Sequence, residues 1–256
     1  MLLEVKDVYK SYLKIGKKDK QQVLKGISFE IKKGQCVGLI GESGSGKSTL
    51  SRLILGLEKL DSGKINIEGK PVKKWIKENK GKMSVVFQDY TSSANPNFTI
   101  KEVISEPLIA LNQKKNIDEV VDNLLQKVGL STELKDRYPH ELSGGQMQRV
   151  CIARAISTNP KFIVLDEAIS ALDVSIQSQV LNLLKDLKKD LDMTYLFISH
   201  DLQAVANLCD QVLFIYKGSL VENIHSSQLA YAKSEYAKRL LDSVIPLKIL
   251  DYGTQT

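Results

Sequence analysis

Gly41-Glu42-Ser43-Gly44-Ser45-Gly46-Lys47-Ser48, with Thr49 directly after it, is the stretch that decides the fold. It has the form G-x-x-x-x-G-K-S, the pattern of a phosphate-binding P-loop. The apolar run at 36–40 before it suits a buried parallel strand, and residues 49–55 after it have the apolar spacing of a helix. A strand that turns into a helix in this way presents free backbone N–H groups and the positive end of the helix dipole to one point. The sequence therefore predicts a phosphate site at this turn.

Four side chains extend this prediction to a nucleotide and a metal ion. Lys47 is placed to reach the β- and γ-phosphates, and the Ser48 hydroxyl to hold Mg²⁺. Asp166 and Glu167 follow the apolar strand at 162–165, where an acidic pair is costly unless it meets a cation or water. We interpret Asp166 as ordering Mg²⁺ and Glu167 as polarising the attacking water. The alternative, an N-cap for the next helix, explains neither the second carboxylate nor the P-loop.

A second helix N-terminus suited to phosphate is formed by Leu142-Ser143-Gly144-Gly145-Gln146. Ser143 and Gln146 have the spacing of a capping box. Each of the two glycines costs about 1 kcal/mol relative to alanine inside a helix, so propensity does not account for them. Close approach of the backbone to a ligand does, and we expect this segment to contact phosphate.

Composition limits the classes of protein that remain. The chain has 256 residues, of which 43% are hydrophobic, which is long for one domain and short for two. Its net charge of +6 comes partly from scattered lysine pairs, without the basic stripe and interleaved aromatics of a nucleic-acid binder. Three cysteines in apolar stretches indicate buried thiols in a reducing compartment. With no apolar run long enough to cross a bilayer and no secretory signal, we expect a soluble, cytoplasmic protein.

The apolar pattern divides the chain into strand-rich and helical parts. Residues 2–9 are interpreted as an edge strand, 14–22 as a basic loop, and 83–87 as a buried strand ending at Gln88. The charged segment at 71–82 is predicted to be exposed, with Trp75 as a local packing anchor.

From 99 to 158 the pattern is helical, and three helices in a row suggest an inserted helical subdomain. Thr99 and Glu102 form a capping box, and the next helix is predicted to be capped by Asn116 and ended by Gly129. Alternating strands and helices return after 162, and residues 226–241 are expected to be helical.

The order of these motifs resembles that of the ATP-binding cassette (ABC) family: a P-loop, the Leu-Ser-Gly-Gly-Gln segment, four apolar residues, and Asp-Glu. Lesser motifs match as well. Gln88 resembles the Q-loop glutamine, Asp173 ends a segment similar to the D-loop, and His200 resembles the switch histidine after its strand. Tyr12 resembles the aromatic residue on which adenine stacks, although Tyr9 is a near competitor.

The resemblance implies an α/β fold, with a P-loop NTPase core of the ABC ATPase type, an antiparallel β subdomain and an inserted helical subdomain. It would make residues 1–256 a single ATP-binding domain. The implied core comprises 1–89 and 160–225, the helical subdomain 90–159, and the C-terminal helix and tail 226–256.

The resemblance also implies a head-to-tail dimer that closes on ATP and reopens after hydrolysis. Each ATP would lie between the P-loop of one subunit and residues 142–146, the signature segment, of the other. Glu167, His200 and Gln88 would be the catalytic residues, and Ser48, Gln88 and Asp166 the ligands of Mg²⁺. Gln88 would also carry the coupling to membrane subunits.

A narrower resemblance, to the peptide/nickel importer branch, is carried by residues 89–96 and 234–241. Ala168, where most cassettes have proline, is similar to the nickel-import type of subunit. Many members of the branch have a C-terminal cysteine cluster with an iron–sulfur centre; no cysteine follows Cys209, so we expect no such centre here.

The implied function is ATP hydrolysis that powers an importer of nickel, a metal chelate or oligopeptides. The implied partners are two transmembrane permeases, a second and different ATPase subunit, and an extracytoplasmic binding protein, without nucleic acid. The implied location is the cytoplasmic face of the membrane. The alternatives are a non-transport ABC ATPase acting on nucleic acid or the ribosome, and a non-hydrolysing regulator.

Overall fold

The computed structural model describes residues 1–13, 19–89, 92–170 and 172–244. The strands are β1 (Leu3–Leu13), β2 (Lys20–Ile31), β3 (Cys36–Ile40), β4 (Ser62–Ile67), β5 (Lys70–Pro71), β6 (Met83–Val86), β7 (Phe162–Asp166), β8 (Thr194–Ile198), β9 (Gln211–Tyr216) and β10 (Ser219–His225). They form a four-stranded sheet of order β2-β1-β4-β5 and a six-stranded sheet of order β10-β9-β3-β8-β7-β6. The first is antiparallel; in the second, β6 to β9 and β3 run parallel and β10 is antiparallel to β9.

The helices are α1 (Lys47–Ile54), α2 (Val72–Glu78), α3 (Ile100–Ala110), α4 (Ile117–Lys127), α5 (Gly144–Ile156), α6 (Val174–Asp190), α7 (Leu202–Leu208) and α8 (Glu235–Val244). Short 3₁₀ helices occupy Thr132–Asp136, Pro139–Glu141 and Ser226–Tyr231. Among the described residues, none of the helices combines the length and the apolar character that crossing a membrane requires.

The six-stranded sheet lies between two apolar cores, which explains why its central strands are apolar at nearly every position. Cys36 and Ile40 of β3 belong to the core formed with α3 to α8, whereas Val37 and Leu39 belong to the core shared with the antiparallel sheet. All five residues of β3 are buried. The apolar run before the P-loop is therefore the two-sided strand that the sequence predicts.

The parallel order brings together residues that are far apart in the chain. β3 ends at the P-loop, and its neighbour β8 ends just before His200. β7 lies on the other side of β8 and ends at Asp166, while β6 ends just before Gln88. Since the carboxyl ends of parallel strands meet at one edge of a sheet, this edge collects the predicted chemistry.

Several local predictions are corrected by the fold. β1 is an internal strand between β2 and β4, because both of its sides form ladders. β2 begins at Lys20, within the predicted loop at 14–22, of which 14–18 lie outside the described residues. β6 is an edge strand of mostly half-buried residues, and Phe87 after it is 41% exposed.

The helical predictions need similar adjustments. Asn116 occupies the N-cap of α4 in a left-handed conformation, but its side chain makes no cap hydrogen bond. The helix expected at 226–241 is two pieces, the 3₁₀ helix Ser226–Tyr231 and α8. The segment expected to be exposed contains α2, whose Trp75 is fully buried and donates to the Glu68 carboxylate at 2.8 Å. The capping box at Thr99 is confirmed.

Candidate active site

Two glycines of the P-loop are required by the backbone itself. Gly46, the N-cap of α1, has φ of 109°, a conformation that other residues rarely adopt. A Cβ on Gly41 would lie 2.3 Å from the carbonyl oxygen of Ile215 in β9. The loop therefore turns tightly against a neighbouring strand before the helix begins at Lys47.

Lys47 is buried, and its ammonium lies against the first residues of the loop. Its Nζ donates to the carbonyl oxygens of Gly41 at 2.6 Å and Glu42 at 3.0 Å. Burial lowers the pKa of Lys47, while the charges of Glu167 and Asp166 act to raise it. The loop thus holds a positive charge in a fixed place, as recognition of a phosphate requires.

A cavity of about 830 Å³ opens beside the loop and collects most of the predicted site. The predicted residues that line it are Tyr12, Ser43, Gly44, Gly46, Lys47, Ser48, Thr49, Gln88, Glu167 and His200. Gly41, Glu42, Ser45 and Asp166 lie next to these residues in the chain but do not line the cavity.

Two residues of the cavity wall, Gln21 and Val23, were missed by the sequence reasoning. They lie on β2, and the β1–β2 register places Gln21 directly opposite Tyr12. No motif marks either residue; only the pairing of the strands brings them to the site.

Tyr12, rather than Tyr9, lies at the cavity. Its hydroxyl donates to the Glu58 carboxylate, and the Nζ of Lys10 lies 5.1 Å from its ring centroid. Burial, followed by the hydrogen bond to Glu58, raises the pKa of Tyr12. Tyr9 is 39% exposed and would touch a side chain placed on Gly26, away from the loop. Stacking of adenine on Tyr12 remains a prediction.

Glu167 is held in an uncommon backbone conformation. Its φ is +50°, and its N–H donates to the carbonyl oxygen of Ile198 in β8 at 2.9 Å. A left-handed conformation at a residue other than glycine costs about 1–3 kcal/mol, and such costs concentrate at functional sites. The Oε2 atom of Glu167 lies 3.2 Å from Nδ1 of His200, so the carboxylate and the imidazole form one unit.

The helix-cap alternative for the acidic pair is wrong. The next helix, α6, begins at Val174, and its N-cap is Asp173, whose carboxylate accepts from the N–H of Ile176 at 3.0 Å. Asp173, predicted to belong to the D-loop, is thus an exposed cap and not part of the cavity wall.

Asp166 is half-buried at the end of β7. Burial raises the pKa of its carboxyl, and the charge of Glu167 adds to this, while Arg52 and Lys47 act in the opposite direction. The side chains of Asp166, Ser48 and Gln88 offer oxygen atoms as possible metal ligands. In the described part of the chain, no cluster of three or more His, Cys, Asp or Glu residues could hold a metal ion by itself. This set fits Mg²⁺, which binds through one or two carboxylates and phosphate oxygens rather than an all-protein cage.

The signature segment, residues 142–146, begins α5 as predicted. Ser143 and Gln146 form the capping box, with the N–H of Ser143 donating to Oε1 of Gln146 at 2.9 Å and the N–H of Gln146 donating to Oγ of Ser143 at 3.3 Å. Besides the expected approach of a ligand, packing against α6 requires glycine at position 145, because a Cβ there would lie 2.7 Å from Cγ2 of Ile176. None of these five described residues lines the P-loop cavity.

Comparison with known proteins agrees with this geometry. Residues 24–170 match the family described as "ABC transporter". The chain is 45% identical, over 94% of its length and 98% of the relative's, to the "Metal-staphylopine import system ATP-binding protein CntF" of Staphylococcus aureus. It is 42% identical, over 98% of its length and 84% of the relative's, to the "Oligopeptide transport ATP-binding protein OppF" of Bacillus subtilis.

Solved structures give the same result. The structure of cbiO1 from Clostridium perfringens, part of the ABC transporter complex cbiONQ, has a TM-score of 0.79 at 30% identity and covers 96% of both chains. A dimeric post-hydrolysis structure of the ATP-binding cassette MJ0796, bound to ADP and Pi, has a TM-score of 0.77 at 27% identity, with 88% of this chain and 99% of that one covered.

The fold and site therefore define a cassette ATPase, and the chain belongs to the ABC transporter family. The predicted α/β cassette fold, with its antiparallel sheet and helical segments, is confirmed. As a member of this family, the chain binds ATP.

Proposed function

We propose that this chain is the ATP-hydrolysing subunit of an ABC importer whose cargo is a metal chelate. The observation that carries the enzymatic part is the meeting of three groups in one cavity: the Lys47 ammonium, the Glu167 carboxylate and the His200 imidazole. The likeness to importer subunits supports the transport part.

Each of these groups has one step to perform. Lys47 and the N–H groups of the P-loop bind the β- and γ-phosphates of ATP, because they form a cationic concavity at a helix N-terminus. The Glu167 carboxylate accepts a proton from the attacking water, and His200 keeps that carboxylate in place. Ser48, Gln88 and Asp166 would hold Mg²⁺, which would supply positive charge to the phosphates when bound.

The choice of cargo depends on the relatives. The relative named for metal–staphylopine import covers nearly the whole chain at 45% identity, and Ala168 adds the narrower likeness to nickel-import subunits. Nickel is thus one of the metals to test. The oligopeptide-transport relatives, at 42–44% identity, make oligopeptides the second candidate.

The remaining organisation belongs to the same proposal. Residues 1–89 and 160–225 form the core, 90–159 the helical subdomain, and 226–256 the C-terminal helix and tail. The chain works at the cytoplasmic face of the membrane with two permeases, a different second ATPase subunit and an extracytoplasmic binding protein. Action on nucleic acid or the ribosome is disfavoured, because the relatives given above are transport subunits.

The enzymatic proposal is tested by Glu167→Gln, which keeps the shape of the side chain and removes the base. ATP binding should persist, while hydrolysis falls about 10²–10⁴-fold, the usual contribution of a positioned general base. The matched control is Glu30→Gln, at an exposed glutamate of β2, which should leave turnover unchanged. Full turnover in Glu167→Gln would place the base elsewhere.

The cargo is tested in cells that lack this chain and carry either the wild type or Glu167→Gln on a plasmid. Uptake of nickel and zinc, with and without an amino-carboxylate chelator, is measured beside uptake of labelled tetra- and pentapeptides. We expect the wild type alone to restore chelate-dependent metal uptake. Restoration of peptide uptake without metal uptake would select the second candidate.

A further inference from the structure

The C-terminal helix α8 reaches the P-loop through one side chain. Tyr236 is only 5% exposed, and its hydroxyl accepts a hydrogen bond from the backbone N–H of Glu42 at 2.9 Å. Its ring stacks on that of Tyr216, with centroids 4.4 Å apart and planes inclined by 29°. Glu42 belongs to the P-loop, whereas Tyr236 lies outside the part of the chain that matches the family.

The contact continues a wall that already supports the outer side of the loop. Tyr216 ends β9, and in the turn that follows, Gly218 donates its N–H to the carbonyl oxygen of Ser45 at 3.1 Å. Ile215 closes the space beside Gly41. The loop is therefore held by β9 and its turn along one side, and Tyr236 extends this support to Glu42.

The position of Tyr236 is itself fixed by β10. Oε2 of Glu222 accepts hydrogen bonds from the N–H groups of Lys233 at 3.0 Å and Ser234 at 2.5 Å. Oγ of Ser234 then accepts from the N–H of Ala237 at 3.1 Å, at the first turn of α8. Because the first turn of α8 is held in this way, the buried ring of Tyr236 has a fixed place and can fix the position of Glu42, which its hydroxyl contacts.

The peptide units around Glu42 link Tyr236 to the charge that binds phosphate. The N–H of Glu42 donates to Tyr236, and its carbonyl oxygen accepts from Nζ of Lys47. We infer that Tyr236 is a positioning residue of the ATP site, which sets the first turn of the P-loop and, through it, the Lys47 ammonium. This inference rests on the proposed function, in that the P-loop must bind nucleotide.

The test is Tyr236→Phe, which keeps the stacked ring and removes the hydrogen-bond acceptor. Affinity is measured by equilibrium titration with Mg–ADP, which is not hydrolysed. Since one hydrogen bond contributes modestly to a net free energy, the affinity should fall about two- to tenfold. Tyr231→Phe, at a tyrosine that is 78% exposed just before α8, is the matched control and should bind as the wild type does.

Two readouts separate positioning from a merely structural role. In the ATPase reaction Tyr236→Phe should raise KM more than it lowers kcat, because the hydroxyl of Tyr236 is bonded to Glu42 and its ring stacks on Tyr216, away from the catalytic pair Glu167 and His200. Its Tm should stay close to that of the wild type, since the ring remains. Wild-type affinity in Tyr236→Phe, or a loss of Tm without a change in KM, would overturn the inference.

A measurement on the unaltered protein covers the case in which the variant does not fold. Hydrogen exchange of the Glu42 amide should be slow in the wild type, because the amide is bonded to a buried hydroxyl. Exchange as fast as that of an exposed loop amide would overturn the inference. If the wild type bound no nucleotide at all, the proposed function itself would fail, which is a different result.

Discussion

Asp166 is a residue at which function and stability oppose each other. Its carboxyl has a pKa raised mainly by burial, so the charged form is less favourable in the folded protein than in the unfolded chain. The unfolded chain therefore releases this proton first as the pH rises. The contribution of Asp166 to the free energy of unfolding therefore declines as the pH rises from 3.8, the ordinary pKa, to the raised pKa of the folded protein. It stays reduced at neutral pH.

We therefore predict that Asp166→Asn raises the Tm at pH 7 and abolishes most of the ATPase activity. The gain in Tm should shrink as the pH falls through the folded pKa and should be smallest below the ordinary value of 3.8, where the carboxyl is protonated in both the folded and the unfolded state. Thermal unfolding across this pH range is the measurement. Asp118→Asn is the control, because Lys101 lowers the pKa of that exposed carboxyl and no gain is expected. A Tm lowered equally at every pH would contradict the prediction.

Whether the sequence identifies a residue of the site depends on how that residue reaches the site. Local patterns indicate Lys47 and Glu167, because one belongs to the P-loop turn and the other to the acidic pair after a buried strand, and the resemblance to the switch histidine indicates His200. Gln21 and Tyr236 are not indicated, because they reach the loop through strand register and through a helix near the other end of the chain. Sequence alone contains no signal for such distant pairs.

At the scale of elements, the N-terminus of α5 depends on its contact with α6. The sequence analysis explains the glycine at position 145 by close approach of a ligand. In the structure, Ile176 occupies the space that a Cβ at this position would need. Overpacking a well-filled contact costs about 1–3 kcal/mol, and alanine returns about 1 kcal/mol of helix propensity. We predict that Gly145→Ala lowers the free energy of unfolding by up to about 2 kcal/mol.

The second part of this experiment replaces the neighbouring side chain, Ile176, by alanine. In the Ile176→Ala background, Gly145→Ala should be neutral or stabilising, because the clash is gone while the propensity gain remains. Denaturant unfolding of the two single variants and the double variant gives the coupling energy. Additive effects would mean that the glycine is not required by α6.

The elements themselves were predictable where their pattern is strong. The P-loop strand and helix, and the capping boxes of α3 and α5, follow from local spacing. β10 was missed because its residues are half-buried or exposed and have no apolar alternation to reveal it. The prediction of an edge position for β1 is wrong, because the sequence does not show that β2 and β4 lie on either side of it.

At the scale of the whole molecule, the two segments that are predicted to bind phosphate do not form one site. The P-loop lines a cavity with Glu167 and His200, and residues 142–146 lie outside its wall. The resemblance to ABC cassettes implies that the signature segment of one molecule meets the P-loop of another, and solved structures of the cassette MJ0796 are dimeric. Activity should therefore depend on a second cassette.

We predict that this second cassette is a different protein, as the likeness to the peptide/nickel branch implies. The isolated chain should be mainly monomeric and slow to hydrolyse ATP, and its activity should rise when the partner ATPase is added. Sedimentation of Glu167→Gln with Mg–ATP is the decisive measurement, because unhydrolysed ATP traps any closed dimer. Glu167→Gln combined with Lys47→Ala is the control, since loss of the buried ammonium removes the nucleotide that would hold two molecules together. A stable homodimer of the isolated Glu167→Gln chain, together with full transport in cells that lack the second cassette, would establish self-pairing instead.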